Sequence, residues 1–268
     1  MESEGVNSSQ AIPLDPAGWH ARFVQQARWT KELRHYLFGR AGLDSARRVL
    51  DVGCGTGVLG SELLTLTAAT VWGLDLDEAH LAFATRNAPG VSYTQGDAHW
   101  LPYSRGAFDL VLCHFLLLWV TDPLQVVSEM KRVTRPSGVV VALAEPDYGG
   151  RIDYPTPLDR LGAWQQESLR RQGADPLVGR RLAGIFHQAG LVEVETGVLG
   201  GQWRKPPSSA ELDLEWIVLE DDLKQLADTG EIAGIQRLRS LDRQAWQNGE
   251  RILFVPTFYA LGHTPGKN

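Results

Sequence analysis

An apolar strand that runs directly into a glycine-rich turn is the feature that most restricts the fold of this chain. Residues 49–52 read Val-Leu-Asp-Val, and glycine then occupies every second position, at Gly53, Gly55 and Gly57. Glycine lets the backbone bend sharply and approach a ligand, because no Cβ is in the way. Residues 58–66 are rich in leucine and open a helix. A strand, a glycine turn and a helix N-terminus together predict a nucleotide-type binding site.

Two kinds of nucleotide fit this turn. Gly55, Gly57 and Gly60 match the dinucleotide fingerprint G-x-G-x-x-G, and Asp75 follows Gly55 by twenty residues. That match is weak by itself. Asp51 stands before the glycines, where its carboxylate would repel a pyrophosphate but not a zwitterionic amino acid. The turn therefore allows a nicotinamide nucleotide and favours a cofactor that carries an amino acid.

Five motifs follow one another between residues 51 and 138. They read DVGCGTG (51–57), GLDLD (73–77), QGDA (95–98), FDLVLCH (108–114) and RPSG (135–138). In this order they resemble the class I S-adenosylmethionine-dependent methyltransferases, in the small-molecule branch (type 11) that includes the quinone C-methyltransferase-like proteins. The resemblance covers residues 49–145 well and the rest of the chain only in outline.

The resemblance implies S-adenosylmethionine as cofactor and a defined set of binding residues. Asp75 would accept hydrogen bonds from the ribose hydroxyls, and Asp97 would accept one from the adenine amino group. The implied cofactor-binding residues are Asp51, Gly53, Cys54, Gly55, Gly57, Asp75, Leu76, Asp97, Ala98 and His114.

Strands and helices alternate along the matched region. The predicted strands are 48–52, 70–75, 91–95, 108–113 and 138–145. Alternation at this spacing predicts an α/β fold with a doubly wound, mostly parallel sheet, whose ligand crevice lies at the carboxyl ends of the strands. The resemblance implies seven strands in a Rossmann-like methyltransferase fold with an antiparallel last strand, so that 191–198 and 251–261 form the closing antiparallel pair.

The chain is predicted to be a single methyltransferase domain over residues 1–268, with a cofactor-binding core at 47–145. Residues 12–40 form a leading helix, which either covers the cofactor or simply packs on the sheet edge. The segments 147–174 and 202–250 are extra, and both are interpreted as helical lid insertions that bind the substrate.

Candidate residues for the methyl acceptor lie at the ends of two strands. His114 is the candidate catalytic general base, because histidine changes its charge near neutral pH; the alternative is a core histidine. Glu145, Asp147 and Tyr148 are candidates for orienting the substrate, and the alternative is a loop formed by proline and glycine turn chemistry.

Tryptophan is concentrated in the leading helix and in the two insertions. If these side chains cover the site, they favour an aromatic or lipophilic small-molecule acceptor; alternatively, most of them pack the lid's own core. The tryptophans of these segments are Trp19, Trp29, Trp164, Trp203, Trp216 and Trp246.

Net charge, the length of the apolar runs and the cysteine content argue against several other classes of protein. A net charge of −6 argues against a nucleic-acid groove. The longest apolar run, 111–120, is too short to span a bilayer. The two cysteines, Cys54 and Cys113, are not expected to form a structural disulfide, which fits a reducing cytoplasm. No metal site is predicted.

The sequence therefore predicts methyl transfer from S-adenosylmethionine to a small molecule at an oxygen, nitrogen or carbon nucleophile. One alternative is an NAD(P)-dependent oxidoreductase that uses the loop of Gly55, Gly57 and Gly60. The chain has no Tyr-x-x-x-Lys pair, which removes the short-chain dehydrogenase route. The other alternative is a non-catalytic protein that binds S-adenosylmethionine.

Overall fold

Alternating strands and helices build a seven-stranded sheet in a computed structural model, which describes residues 15–199, 206–224 and 232–266. The first half contains α1 (Pro16–Trp29), α2 (Lys31–Arg40), β1 (Arg48–Val52), α3 (Val58–Leu66), β2 (Thr70–Asp75), α4 (Glu78–Asn87), β3 (Ser92–Gln95), β4 (Phe108–Cys113), α5 (Pro123–Val133) and β5 (Thr134–Pro146). The second half contains β6 (Ile152–Tyr154), α6 (Asp159–Arg171), α7 (Leu182–Gln188), β7 (Val192–Leu199), α8 (Ser209–Lys224), α9 (Ile232–Asn248), β8 (Ile252–Phe254) and β9 (Thr257–His263).

The strand order of the sheet is β3-β2-β1-β4-β5-β9-β7, and β9 runs antiparallel to both of its neighbours. The predicted fold class is therefore confirmed, including the antiparallel last strand. The order reverses at β1, which has β2 on one side and β4 on the other. Ligands of doubly wound sheets bind where the order reverses, just beyond the carboxyl ends of the strands. The ends of β1 and β4 meet there, with Val52 beside Cys113.

The sheet core is apolar on both faces because helices cover both. Val49, Leu50 and Val52 of β1 are completely buried, although successive residues of a strand point to opposite faces. Only Asp51 interrupts this apolar run, and it too is buried.

The predicted leading helix is two helices in the structure. Asp15 caps α1 by accepting a hydrogen bond from the N–H of Gly18 (2.7 Å), and Pro16 occupies the first helical position. The helix ends at the buried Thr30, and α2 begins at the next residue. Residues 12–14 of the predicted segment lie outside the described residues.

The predicted last strand, 251–261, is also two strands. β8 pairs with β6 in a separate two-stranded sheet, while β9 pairs with β5 and β7 in the main sheet. Val255 and Pro256 separate them, and proline has no N–H with which to continue a ladder. The prediction of a single strand here is wrong because β8 pairs with a partner about a hundred residues away in the chain.

The elements β6, β8, α6, α8 and α9 form what we call the lid. It has its own apolar cluster, which also packs against Trp164 and consists of Leu158, Leu161, Trp216, Leu219, Ile235 and Leu238. Two of the predicted tryptophans thus pack the lid's core, as the alternative interpretation held. Trp203 lies outside the described residues, as do 202–205 and 225–231 of the predicted insertion.

Candidate functional site

The glycine turn after β1 presents main chain rather than side chains. Gly53, Gly55 and Gly57 have φ values of 73°, 50° and 79°, which other residues rarely adopt. A Cβ on Gly53 would lie 2.7 Å from Cδ1 of Leu116, and one on Gly55 would lie 3.0 Å from the ring of Phe23. Conformation and space therefore both require glycine in this turn.

Asp51 brings a buried carboxylate to the base of the turn. Its side chain is only 2% exposed, and its Oδ2 atom has no hydrogen-bond partner among the described residues. Burial, together with the nearby charge of Asp75, raises its pKa to about 7, although the charge of Arg34 opposes the rise. Buried carboxylates are normally paired, so the unpaired oxygen marks a position where a cationic or hydrogen-bond-donating ligand group would be stabilised.

Asp75, at the end of β2, holds the glycine turn from the other side. Its Oδ2 accepts a hydrogen bond from the N–H of Gly55 (2.8 Å), and its Oδ1 accepts one from the N–H of Asp77 (2.9 Å). Each carboxylate oxygen has a second lone pair, so both can also accept from ligand hydroxyls. Leu76 follows with 69% of its surface exposed, which leaves an apolar side chain beside these acceptors.

Asp97 lies in the loop after β3, half exposed. Its Oδ1 accepts hydrogen bonds from the backbone N–H of His99 (2.9 Å) and from Nδ1 of the same ring (2.6 Å). These bonds lower the pKa of the Asp97 carboxyl and keep it ionised. Ala98 beside it is buried. His99, which orients the carboxylate, was not predicted from the sequence.

The cysteines are buried free thiols. Cys54 contributes its main chain to the turn, whereas its side chain faces Gly73, where a Cβ would lie 2.9 Å from the sulfur. Burial raises the pKa values of both Cys54 and Cys113, so neither is a ready thiolate nucleophile.

Helix α1 lies directly over the glycine turn. Nδ1 of His20 is 2.9 Å from Oγ1 of Thr56 within the turn, and the ring of Phe23 packs over Gly55. The Phe23 ring also meets His80 of α4 edge-on at 5.6 Å. These contacts support the predicted covering role of the leading segment, although that role itself stays a prediction.

His114 follows β4 and points toward the junction of α1 and α2. Its Nε2 is 2.9 Å from Oγ1 of Thr30. Burial lowers the pKa of His114 well below its usual value, and the charge of Arg34 lowers it further, so the ring is neutral at physiological pH. Its predicted catalytic role stays a prediction.

Glu145, which was predicted to orient the substrate, makes its contacts within the protein. It is completely buried, and its carboxylate accepts hydrogen bonds from the N–H groups of Leu116 and Leu117 (3.0 Å each) and of Leu118 (3.3 Å). Burial raises its pKa to about 7, although the three hydrogen bonds act to lower it. Glu145 therefore anchors the loop after β4, and its predicted role toward a substrate stays a prediction.

The predicted role of Asp147 toward a substrate also stays a prediction, and its contacts are within the protein. It is 2% exposed, accepts a hydrogen bond from the N–H of Gly149 (3.0 Å) and pairs with Nη2 of Arg180 (2.6 Å). Tyr148 is partly buried against the main core, and its N–H donates to the carbonyl of Pro176 (2.8 Å). Its role toward a substrate stays a prediction.

Three residues beside the site were not predicted. Phe23 lies in the predicted leading helix and was not singled out there. Thr30 and Arg34 carry no local signal, because Thr30 contacts His114, 84 residues away in the chain, and Arg34 donates to Thr30.

Comparisons with known proteins agree with this geometry. A family model described as a methyltransferase domain matches residues 50–142. The chain is 30% identical to the demethylmenaquinone methyltransferase of Geobacillus kaustophilus over 193 residues, which are 65% of this chain and 81% of that protein. It is 34% identical to the demethylmenaquinone methyltransferase of Renibacterium salmoninarum over 122 residues, 45% of this chain and 51% of that protein. The chain spans about half the length of several curated relatives that it matches.

Among solved structures, the fold resembles a methyltransferase in complex with the Trm112 methyltransferase activator of Haloferax volcanii. The TM-score is 0.60 with 17% identity, over 93% of this chain and 96% of that chain. At this identity the likeness concerns the fold alone.

The chain belongs to the class I S-adenosylmethionine-dependent methyltransferases. The predicted family, the Rossmann-like fold and S-adenosylmethionine as cofactor are therefore confirmed. Of the helices in the described part of the chain, none has the length and apolar character needed to cross a membrane.

Proposed function

We propose that this chain transfers the methyl group of S-adenosylmethionine to a small-molecule acceptor. The unpaired Oδ2 of buried Asp51, directly behind a turn that admits only glycine, is the observation that carries the proposal. The amino group of an amino acid is the ligand part that would compensate this carboxylate.

The residues present fit the cofactor along its whole length. Asp51 would face the amino acid part, and the main chain of the glycine turn would pass closely beside it. Asp75 would accept the ribose hydroxyls, and Asp97, already oriented by His99, would accept the adenine amino group. The exposed Leu76 would pack on the apolar face of the nucleoside.

The cofactor supplies a methyl group that is already electrophilic because it is attached to a sulfonium. The chain's own task is to hold a nucleophile in line and to exclude water, which can supply much of the acceleration. Phe23 over the turn and the loop anchored by Glu145 are the groups placed to do this.

We further propose a flat, aromatic or lipophilic acceptor. Two relatives are named demethylmenaquinone methyltransferases, which supports a quinone-like ring. Phe115 meets the ring of His114 at 4.5 Å, and Trp119 in the same loop is half exposed, so aromatic surface is available beside the site. The cytoplasmic location expected from the free cysteines stays a prediction.

The two alternatives, an NAD(P)-dependent oxidoreductase and a non-catalytic protein that binds S-adenosylmethionine, can be distinguished from this proposal. A nicotinamide nucleotide would bring its pyrophosphate near Asp51 and Asp75, where two carboxylates oppose it. A non-catalytic protein would bind the cofactor equally well but would show no turnover with any acceptor.

Calorimetry and thermal shift test the proposal. S-adenosylhomocysteine should bind and stabilise the protein, whereas NADH and NADPH should not. Asp75→Ala should weaken binding by about 1–3 kcal/mol, since ligand hydroxyls lose their acceptors. Asp44→Ala, which removes an exposed carboxylate, should leave the affinity unchanged. Stabilisation by a nicotinamide nucleotide alone would overturn the proposal.

A further inference from the structure

Thr30, Arg34 and His114 form a chain of hydrogen bonds in which Thr30 and Arg34 are buried and His114 is partly buried. Nε2 of His114 lies 2.9 Å from Oγ1 of Thr30, and Nη1 of Arg34 lies 2.6 Å from the same oxygen. Thr30 is 1% exposed and Arg34 is 2% exposed. The bond between Thr30 and Arg34 is therefore shielded from water, and the bond between Thr30 and His114 is partly shielded.

The donor inventory fixes the direction of the bond between Arg34 and Thr30. A guanidinium has only donors, so Oγ1 of Thr30 accepts from Arg34. The hydroxyl then has one proton to donate. The carbonyl oxygens of Gln26 and Ala27 lie at 3.5 Å, and Arg34 already donates to the second of them. Nε2 of His114, at 2.9 Å, is the nearest of the three candidate acceptors, so we assign the hydroxyl proton to the bond with this nitrogen.

A ring nitrogen that accepts a hydrogen bond carries no proton, so the proton of neutral His114 is on Nδ1. Arg34 cannot move away, because its Nη2 and Nε donate to Oε2 of Glu62 at 2.6 and 3.0 Å. The oxygen Oε1 of Glu62 in turn meets Nε2 of His35 at 3.0 Å. Burial and the charge of Arg34 also lower the pKa of His114, which keeps its ring neutral.

We propose that Thr30 and Arg34 are positioning residues that hold His114 in the Nδ1–H form, so that His114 donates a hydrogen bond to the methyl acceptor instead of removing its proton. This inference rests on the proposed function. Among the described residues, none forms a hydrogen bond with Nδ1, so this donor remains for a ligand.

The consequence is a restriction on the acceptor. It presents an oxygen lone pair, as a carbonyl, carboxylate or phenolate does, to Nδ1 of His114. Its nucleophilic atom gives no proton to His114, because the only basic nitrogen of the ring, Nε2, already accepts from buried Thr30.

Nitrogen NMR of protein labelled with ¹⁵N-histidine tests the tautomer directly. The chain has 7 histidines, and loss of one signal in His114→Gln assigns the ring. In the ligand-free wild type, His114 should show the Nδ1–H pattern at pH 7 to 8. Thr30→Ser should keep this pattern, because it keeps the hydroxyl. Thr30→Val, of similar volume, should lose it and show Nε2–H.

Thr56→Val is the matched control, since Thr56 bonds Nδ1 of His20 at 2.9 Å. It should change the His20 signal and leave His114 unchanged. An Nε2–H or imidazolium pattern in the wild type at pH 7, or an unchanged His114 in Thr30→Val, would overturn the proposal. Calorimetry with S-adenosylhomocysteine on the same samples tests the proposed function separately, because the tautomer is measured without ligand.

Discussion

In the lid, every buried carboxylate that we describe is matched by a buried cation, whereas beside the glycine turn Asp51 has an oxygen with no partner. Asp153 pairs with Arg151 and Arg251, each at 2.6 Å, and Asp242 pairs with Arg251 at 2.6 Å. All of these side chains are at most 7% exposed.

The difference separates structural charges from charges that are kept for a ligand. Asp242 also accepts a hydrogen bond from Nε1 of Trp216 at 2.8 Å. The two aspartates and the two arginines of the lid network are therefore all paired within the protein. Such a network specifies geometry more than it adds stability, because desolvation offsets the attraction. Asp51 is desolvated in the same way, but Arg34 opposes its pKa rise only in part and its Oδ2 has no partner among the described residues, as expected where a ligand completes the site.

Breaking the lid network should have the largest effect. Arg251→Leu leaves Asp242 without its cation and weakens the hold on Asp153, which should destabilise the lid by about 3–5 kcal/mol. Hydrogen-exchange mass spectrometry should show faster exchange in β6, α6 and α9, with little change in the region 48–113. Binding of S-adenosylhomocysteine should persist.

Arg243→Leu is the matched control. Its partner Asp213 lies at 2.8 Å on the surface, where solvent screens the pair, so no measurable loss of stability is expected. If Arg251→Leu instead increased exchange equally around the glycine turn, the two regions would be one cooperative unit and the comparison would fail.

The same contrast explains how far the sequence predicts the structure. In the cofactor-binding core, the strand 48–52 and the strand 108–113 were predicted to the residue, because apolar runs and glycine turns are local signals. Asp51, Asp75 and Asp97 were placed at strand ends by their position in this alternation, and each is found there.

In the lid and at the later strand ends, the decisive contacts are between distant residues. β6 pairs with β8, and Arg251 meets Asp153 across 98 residues, which no local pattern reveals. Glu145 was a reasonable substrate candidate as a polar residue at a strand end. Only packing shows that its carboxylate turns back to the loop of 116–118.

The pH dependence of stability should sharpen the comparison further. The folded pKa values of Asp51 and Glu145, both about 7, lie above their ordinary values of 3.8 and 4.5. The folded chain therefore keeps protons that the unfolded chain releases between pH 4 and 7. The free energy of unfolding should fall as pH rises through this window, by roughly 2–4 kcal/mol for each group. Denaturant titrations at pH 5 and pH 8 measure the change.

Asp51→Asn and Glu145→Gln should each remove one part of this slope, while Asp44→Asn should leave it intact. Saturating S-adenosylhomocysteine should diminish the part that comes from Asp51 and not the part from Glu145, because only Asp51 would gain a cationic partner. Equal slopes in the wild type and both variants would show that neither carboxylate is kept protonated by folding.

Helix α1 offers the smallest and most specific test, because it contacts both regions. Arg22 pairs with Glu215 of the lid, and Phe23, the next residue, packs over Gly55. Phe23→Ala should weaken binding of S-adenosylhomocysteine by about 0.5–1.5 kcal/mol, since an aromatic contact over the turn is lost. Stopped-flow measurements should show the change mainly as faster dissociation.

Arg28→Ala, on the same helix, removes only an exposed pair with Glu211 (3.1 Å) and should change affinity by less than about 0.5 kcal/mol. Equal losses in the two variants would mean that α1 acts through its attachment to the lid and not through the ring that it places over the turn.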